Sequence, residues 1–446
     1  MHSKFFIRDE KTNEYIPQLL KKMPSKDKKI LTCELKDDVF FHNNEKITIE
    51  DVVYTFERAH QNQHKEYKKI EKITKINDKE FTLELKDDNE CWQDPFIQFI
   101  RIISKKEMKK NPDNGYRIGS GAYKLKKYLP NELLELEPFE KYDSKKDRKN
   151  IKFKISGEDD TLIQELENQD IHAILDFKTE KIKDLKKNIE NKQFNNIKIL
   201  ENHEASHRYI YFNKRKTKPK VRKIIAKSLD IEKLINDLNL QDRIANTALH
   251  NNLIGYDPKI NYHENLLTRE QARIEVNELS KEDKKLCIPL SEKNAIIDRK
   301  IIGELNNIGF EVETVADEFN TITTKATQDD SPYNLIFLGE SFETKFGHKY
   351  FEDYFLTSAN NNNFIGIDET DKPKLEDKIN EAKRQTNNIN EYKKLLSEIE
   401  TYLNENHYLL PLTTNKSYVI MNKKIKKGFE TNIFGSYYNM DSIEIE

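Results

Sequence analysis

The sequence predicts an α/β protein of more than one domain, and three observations carry that expectation. The chain has 446 residues, too many for one hydrophobic core at roughly 100–200 residues per domain. Its opening segments alternate apolar and polar residues with a period of two, the pattern of strands. Residues 286–315 read strand, helix, strand, a βαβ unit that requires some parallel sheet.

The elements follow in order. Ile30, Thr32, Glu34 and Lys36 alternate with Leu31, Cys33 and Leu35, so residues 29–36 form a strand. After the polar turn His42 to Glu45, Thr48 stands as an N-cap with Glu50 and Asp51 in the first turn, and Val52, Val53, Phe56 and Ala59 continue a helix. Ile70 to Asn77 and Glu80 to Leu85 make a hairpin around Asn77-Asp78-Lys79. Residues 1–110 thus read as a small α+β unit. Gly119-Ser120-Gly121 is a tight turn, followed by strands at Tyr123 to Leu125, Leu133 to Glu137 and Ile151 to Ile155, and by a helix from Asp160 to Asn168. This reads as a mixed α/β layer. His207 to Asn213 is an aromatic strand, and Val221 to Leu238 is one amphipathic helix through Val221, Ile224, Ile225, Leu229 and Leu234. Leu286 to Leu290, Ile297 to Ile308 and Phe310 to Val315 form the βαβ unit, with Gly309 as the helix C-cap. Tyr333 to Gly339 is a short buried strand; helices follow at 374–386 and 391–405, and separate strands at Tyr408 to Leu412 and Ser417 to Met421.

Composition excludes several classes. Apolar residues make up 36% and charged residues 35%, so the surface is densely charged. Lys plus Arg (76) and Asp plus Glu (78) nearly cancel and are interleaved; no single-sign field attracts nucleic acid or anionic lipid. Cys33, Cys91 and Cys287 lie far apart, which implies neither a zinc knuckle nor a disulfide framework. There is no apolar run of about 18 residues for a membrane span, and the start Met1-His2-Ser3-Lys4 lacks the h-region of a signal peptide. No G-x-S-x-G, H-E-x-x-H, P-loop or dinucleotide fingerprint occurs. His203 and His207 are spaced as helical zinc ligands are, but they precede and open a strand, so that geometry is lost. No catalytic residue, metal or cofactor is expected.

Residues 35–58, L-K-D-D-V-F-F-H-N-N-E-K-I-T-I-E-D-V-V-Y-T-F-E-R, resemble the signature of the bacterial family-5 solute-binding proteins of oligopeptide, dipeptide and nickel ABC importers. Phe41, His42, Thr48, Glu50, Asp51, Val52 and Arg58 fall in register with it. Gly119 to Leu125 resembles the family's G-T-G-P-Y-x-L turn, Leu166 to Ala173 its L-x-x-G-E-I-D segment, and Tyr209 to Asn213 with Val221-Arg222 and Leu229-Asp230 its Y-L-x-F-N and V-R-x-A-I-x-x-A-I-D-R stretch. Gly303 to Val315 and Tyr333 to Gly339 are similar to two later segments, so the resemblance covers nearly all of residues 10–446. Two departures stand out: Met1 to Leu20 already matches a later region of the family, so the chain reads as shorter at its start by about 50–70 residues, and the family's Trp after the Tyr333 to Gly339 strand is Glu340 here.

The resemblance implies a two-lobed periplasmic-binding-protein-like α/β fold (type II, cluster C) with an extra α+β subdomain in the first lobe. Residues 1–115 are expected to form that subdomain, 116–215 plus 413–446 the core of the first lobe, and 216–412 the second lobe. Tyr209 to Asn213 and Leu410 to Tyr418 are expected to cross between them. The implied function is capture of a peptide or related small solute and its delivery to the membrane permease of an ABC importer, at the periplasm or the outer face of the cytoplasmic membrane. A non-exported ligand-sensing domain or a degenerate family member is the alternative. The implied ligand-binding residues are Glu343, Gly339, Glu340, Ser341, Asn213, Thr414 and Trp92. Glu343 falls where the family places an acid for the ligand's α-ammonium, or is a solvated loop residue two positions from Lys345. Trp92 borders the site or fills the core, and His42 serves the fold.

Overall fold

The computed structural model describes residues 1–8, 14–61, 70–86, 100–143, 147–155, 158–175, 177, 181–292, 294–342, 345–356, 363–429 and 443–446. Cys91, Trp92 and Glu343 lie outside these residues. The described chain divides into two compact units, one taking 1–172 with 423–429 and 443–446, the other 173–422. The lobe boundaries expected at 215/216 and 412/413 both fall inside the second unit.

In the first unit the period-two segments become strands. β1 (Phe6–Arg8) pairs with β2 (Tyr15–Pro17). β3 (Ser25–Asp27) and β4 (Ile30–Glu34) are followed by α1 (Ile49–Gln61) and then by β5 (Ile70–Lys75) and β6 (Glu80–Leu85). The four strands form an antiparallel sheet in the order β3-β4-β6-β5. Alternation decides its faces: Leu31, Cys33, Phe81 and Leu83 are fully buried while Thr32 and Thr82 between them are not. α1 starts where Thr48 and Asp51 cap each other, Thr48 Oγ1 accepting from the Asp51 N–H at 3.4 Å and Asp51 Oδ2 accepting from the Thr48 N–H at 3.0 Å. Its buried stripe of Ile49, Val52, Phe56 and Ala59 packs into the same core, where Phe5 stacks on Phe56 at 6.1 Å. Burial pushes the Cys33 thiol up to about 12, so it is an inert core residue.

A second layer follows. α2 (Lys105–Lys110) precedes β7 (Tyr123–Leu129), β8 (Leu133–Pro138) and β9 (Ile151–Lys154), an antiparallel meander closed by α3 (Asp159–Glu167). The Gly119-Ser120-Gly121 turn exists because the chain start passes so near: the Ser120 and Gly121 N–H groups donate to Met1 O at 3.0 and 2.6 Å. A Cβ on Gly121 would come within 2.9 Å of Met1 backbone. His42 Nε2 donates to Gly121 O at 3.0 Å and its N–H to Gly119 O at 2.8 Å, the structural part expected of it.

The second unit is built on one antiparallel sheet. β10 (Ala173–Ile174) and α4 (Ile182–Glu190) lead into β11 (Ile197–Phe212), far longer than the strand expected from His207. α5 (Pro219–Ser228) and α6 (Ile231–Asp237) replace the single helix expected over 221–238. The break has a cause in the sequence: Leu229 is extended (φ −99, ψ 103) and the Asp230 side chain accepts from the Lys233 N–H at 3.0 Å, starting a new helix. β12 (Arg243–Ile244) and α7 (Arg269–Asn277) come next. β13 (Lys285–Leu290), α8 (Ile296–Ile308) and β14 (Glu311–Ala316) form the expected βαβ unit with a parallel register, and Gly309 at φ +109 closes its helix. After α9 (Phe319–Ala326) come β15 (Leu335–Ser341), α10 (His348–Phe355), α11 (Glu376–Arg384) and α12 (Ile389–Glu405). The last strand, β16 (Leu409–Asn422), merges the two strands expected at 408–412 and 417–421. Its polar middle does not alternate cleanly, but backbone groups need partners, and Thr413, Thr414 and Lys416 stay paired with β11 across a register shift. The order is β10-β16-β11-β15 with β12 also on β16.

Candidate functional site

The long pair β11 and β16 is interrupted by a register shift between His203 and His207, the mark of a bulge, which bends a strand and re-aims its side chains. Just past it, His207 stands opposite Thr414 on β16, and Arg243 on β12 stands opposite the same Thr414 from the other side. Directly opposed residues share a face, so three strands set His207, Thr414 and Arg243 in one row. Lys416 is two residues further along β16 and falls on that face as well. The chain after β12, residues 245–252, curls beside the row and completes a pocket of about 340 Å³. It is lined by these four residues together with Asn246, Thr247, His250, Asn251, Asn252 and Tyr256, among others.

The loop is held by bonds on every side. Ala245 N–H donates to Leu412 O at 3.1 Å, and Ala245 O accepts from His263 Nε2 at 3.0 Å. Tyr262 N–H donates to Asn246 O at 3.0 Å, and the Tyr209 hydroxyl to Ala248 O at 2.6 Å. The Ala248 N–H donates to a carboxylate oxygen of Glu400, a fully buried residue of α12. Burial pushes the Glu400 carboxyl up to about 8, and its second oxygen has no hydrogen-bond partner. A loop pinned this way presents its side chains in fixed places without much entropy left to lose on binding.

His207 is 3% exposed. Its Nδ1 donates to Ser206 O at 3.0 Å and lies 3.1 Å from Thr414 Oγ1. Burial, and then the neighbouring His250 whose ring centroid is 5.2 Å away, bring its pKa down to about 3. The imidazole is therefore neutral at physiological pH. Phe342 meets the His207 ring edge to face at 5.5 Å and backs the row with apolar surface. Arg208, the next residue on β11, points to the other face, where it grips the fully buried Asp298 of α8 through two bonds, one at 2.7 Å from Nε.

The residues proposed from sequence fall in different places. Thr414 lies in the pocket row. Gly339, Glu340 and Ser341 lie at the end of β15, opposite Arg208, His207 and Ser206, so they border the same strand from its other side. The Glu340 carboxylate accepts from the Tyr354 hydroxyl. Asn213 is buried after β11 and braces the chain, its Nδ2 donating to Tyr333 O at 2.9 Å and its Oδ1 accepting from the Arg215 N–H at 3.1 Å. Glu343 and Trp92 are outside the described residues. Sequence reasoning missed Arg243, His250, Lys416 and the loop, and passed over His207 once the zinc spacing failed. The available signal was R-I-A-N-T-A-L-H-N-N at 243–252, a polar, amide-rich stretch between an expected helix and Tyr256.

Donors, hydroxyls and amides converge here, and among the described residues no group of three metal ligands occurs. The arrangement is suited to holding a polar solute. Among the described residues no helix is long and apolar enough to cross a membrane.

Comparison with known proteins agrees. The chain is 22% identical over 350 residues to the oligopeptide-binding protein AppA of Bacillus subtilis; the match covers 70% of this chain and 62% of that protein, less than two thirds of its length. A solved structure of AppA from Bacillus subtilis in complex with a nonapeptide aligns with a TM-score of 0.80 at 18% identity, over 100% of this chain and 93% of that one. NikA from Brucella suis aligns with a TM-score of 0.85 at 17% identity, over 100% and 94%. These alignments show the α/β fold of the periplasmic binding proteins. Residues 14–363 match the family described as "Bacterial extracellular solute-binding proteins, family 5 Middle", most of the chain, and this protein belongs to that family.

Proposed function

We propose that this protein is the substrate-binding protein of an ABC importer, capturing a peptide or a related small solute outside the cytoplasmic membrane and delivering it to a membrane permease. The observation that carries the reading is a preformed polar pocket on the central sheet of the second unit, in a chain of the solute-binding family. β15 ends the strand order of that sheet. An extended peptide can add backbone hydrogen bonds at such an edge whatever its side chains, with Gly339, Glu340 and Ser341 as the bordering residues and Thr414 inside the pocket. No bond of the solute changes; capture and release follow from mass action on the bound state.

Native mass spectrometry of protein purified without denaturation tests the reading. Bound peptides of a few residues, lost on mild unfolding and absent from a refolded sample, are the expected result. A preparation that carries no small solute, and takes up none from a peptide mixture, overturns it.

A further inference from the structure

We propose that the Glu400 side chain is a proton-operated latch on the pocket loop, holding residues 247–252 against α12 while it carries its proton and freeing them when the proton is lost. The use of such a latch in releasing a solute rests on the solute-binding reading above; the latch itself does not.

The loop is anchored at both ends and latched in the middle. At its start the Ala245 N–H donates to Leu412 O at 3.1 Å, and Asn246 O accepts from the Tyr262 N–H at 3.0 Å. At its end the Ile254 N–H donates to Lys345 O at 2.7 Å, and Gly255 turns the chain at φ +114 with the Leu396 side chain of α12 where a Cβ would stand. Between these anchors lie the pocket residues Thr247, His250, Asn251 and Asn252. Ala248, in their midst, is held at both backbone groups: its C=O accepts from the Tyr209 hydroxyl at 2.6 Å, and its N–H donates to Glu400. Thr247 Oγ1 donates to Leu249 O at 2.7 Å, which ties the residues around Ala248 into one piece.

The surroundings of the carboxyl make its proton matter. Glu400 is fully buried, and its second oxygen finds no hydrogen-bond partner among the described residues. The titratable groups that act with it are Asp257, which accepts from Ser397 of α12 at 2.8 Å, Tyr209 on β11, Tyr262, and Tyr350 on α10. Asp257 repels a second negative charge, and burial keeps the three tyrosines neutral. The Ala248 and Leu249 N–H groups favour the ionised form, but burial outweighs them and raises the carboxyl to about 8. An ionised Glu400 behind a closed loop is thus a buried charge without a counter-ion, and swinging the loop away lets water reach it. With the loop open the carboxyl returns toward its ordinary 4.5. Opening therefore releases a proton between about 4.5 and 8, and the opening constant rises about tenfold per pH unit in that range. The open loop takes one wall of the pocket with it, so a solute held there at acid pH leaves more readily as pH rises.

The test is amide hydrogen exchange of the full chain without solute at about pH 5.5, 6.5 and 7.5, read over residues 247–252 and corrected for the exchange of an unfolded chain at each pH. The expected result is an opening constant that rises about hundredfold across these two units and becomes independent of pH in Glu400→Gln. Because a local opening exposes little surface, the rise should be nearly insensitive to ~1 M urea. Glu400→Met, which also lacks the acceptor for Ala248, should open more than Glu400→Gln, again independently of pH. A flat wild-type profile, a rise that persists in either variant, or a rise as sensitive to urea as the exchange of β11 overturns the latch. Should a variant fail to fold, the wild-type profile and its urea response decide alone. Each of these outcomes leaves the solute-binding reading standing, and a failure to find bound solute leaves the latch standing.

Discussion

Replacing Glu400 by Gln should remove a large pH dependence from the stability of this protein. Glu400 is fully buried, no cation is among the groups that act on its carboxyl, and it accepts from the Ala248 N–H. Its ordinary value of 4.5 rises to about 8 through burial. In the unfolded chain the carboxyl loses its proton near 4.5, while in the folded chain it keeps the proton to about 8. Between those values unfolding releases a proton. Stability from this group is thus fully present below 4.5 and is lost as pH rises through about 8, at roughly 1.4 kcal/mol per pH unit. By pH 7.5 the loss amounts to about 4 kcal/mol, a large share of an ordinary 5–15 kcal/mol. Gln keeps the acceptor for Ala248 and has no proton to lose. Urea unfolding followed by circular dichroism at pH 5, 6.5 and 7.5 should show variant and wild type nearly equal at pH 5, with the variant pulling ahead by about 1.4 kcal/mol per unit above it. Parallel profiles would refute the reasoning, since they would mean that Glu400 is ionised in the folded chain.

Two further outcomes follow from the same geometry. The His207 imidazole should stay neutral from pH 8 down to pH 5 in imidazole nitrogen spectra of histidine-labelled protein; its pKa lies near 3, against 6.5 ordinarily, so its share of stability falls as pH drops from 6.5 toward 3, opposite in sign to Glu400. Asp230→Ala removes the cap that starts α6, and should cost about 1 kcal/mol in urea unfolding, with a smaller loss for Asp230→Asn.

Much of the fold was legible because it is written locally. The alternation at 29–36, the Thr48 cap and the strand, helix and Gly309 cap of the βαβ unit each depend on neighbours in sequence, and each lies where expected. The errors came where tertiary pairing overrode the local pattern. Thr413, Thr414 and Lys416 read as a polar gap between two strands, yet each is paired with β11, on either side of the register shift. Leu229 continues the apolar stripe of a helix, and only the Asp230 cap shows the break. The site was less legible still. Thr414 was reached through the family register, but His207, Arg243 and His250 come together through a bulge, a two-residue strand and a pinned loop, none of which has a spacing of its own. Glu400 looks in sequence like one more helix glutamate, and only packing shows that it holds the pocket loop from behind.

The most direct test of the pocket assignment is amide hydrogen exchange of the full chain with and without a casein digest limited to short peptides. Slower exchange in residues 243–252 and 413–416 on adding the peptides is what this account predicts. Unchanged exchange in both segments, while protection appears elsewhere or nowhere, would contradict it.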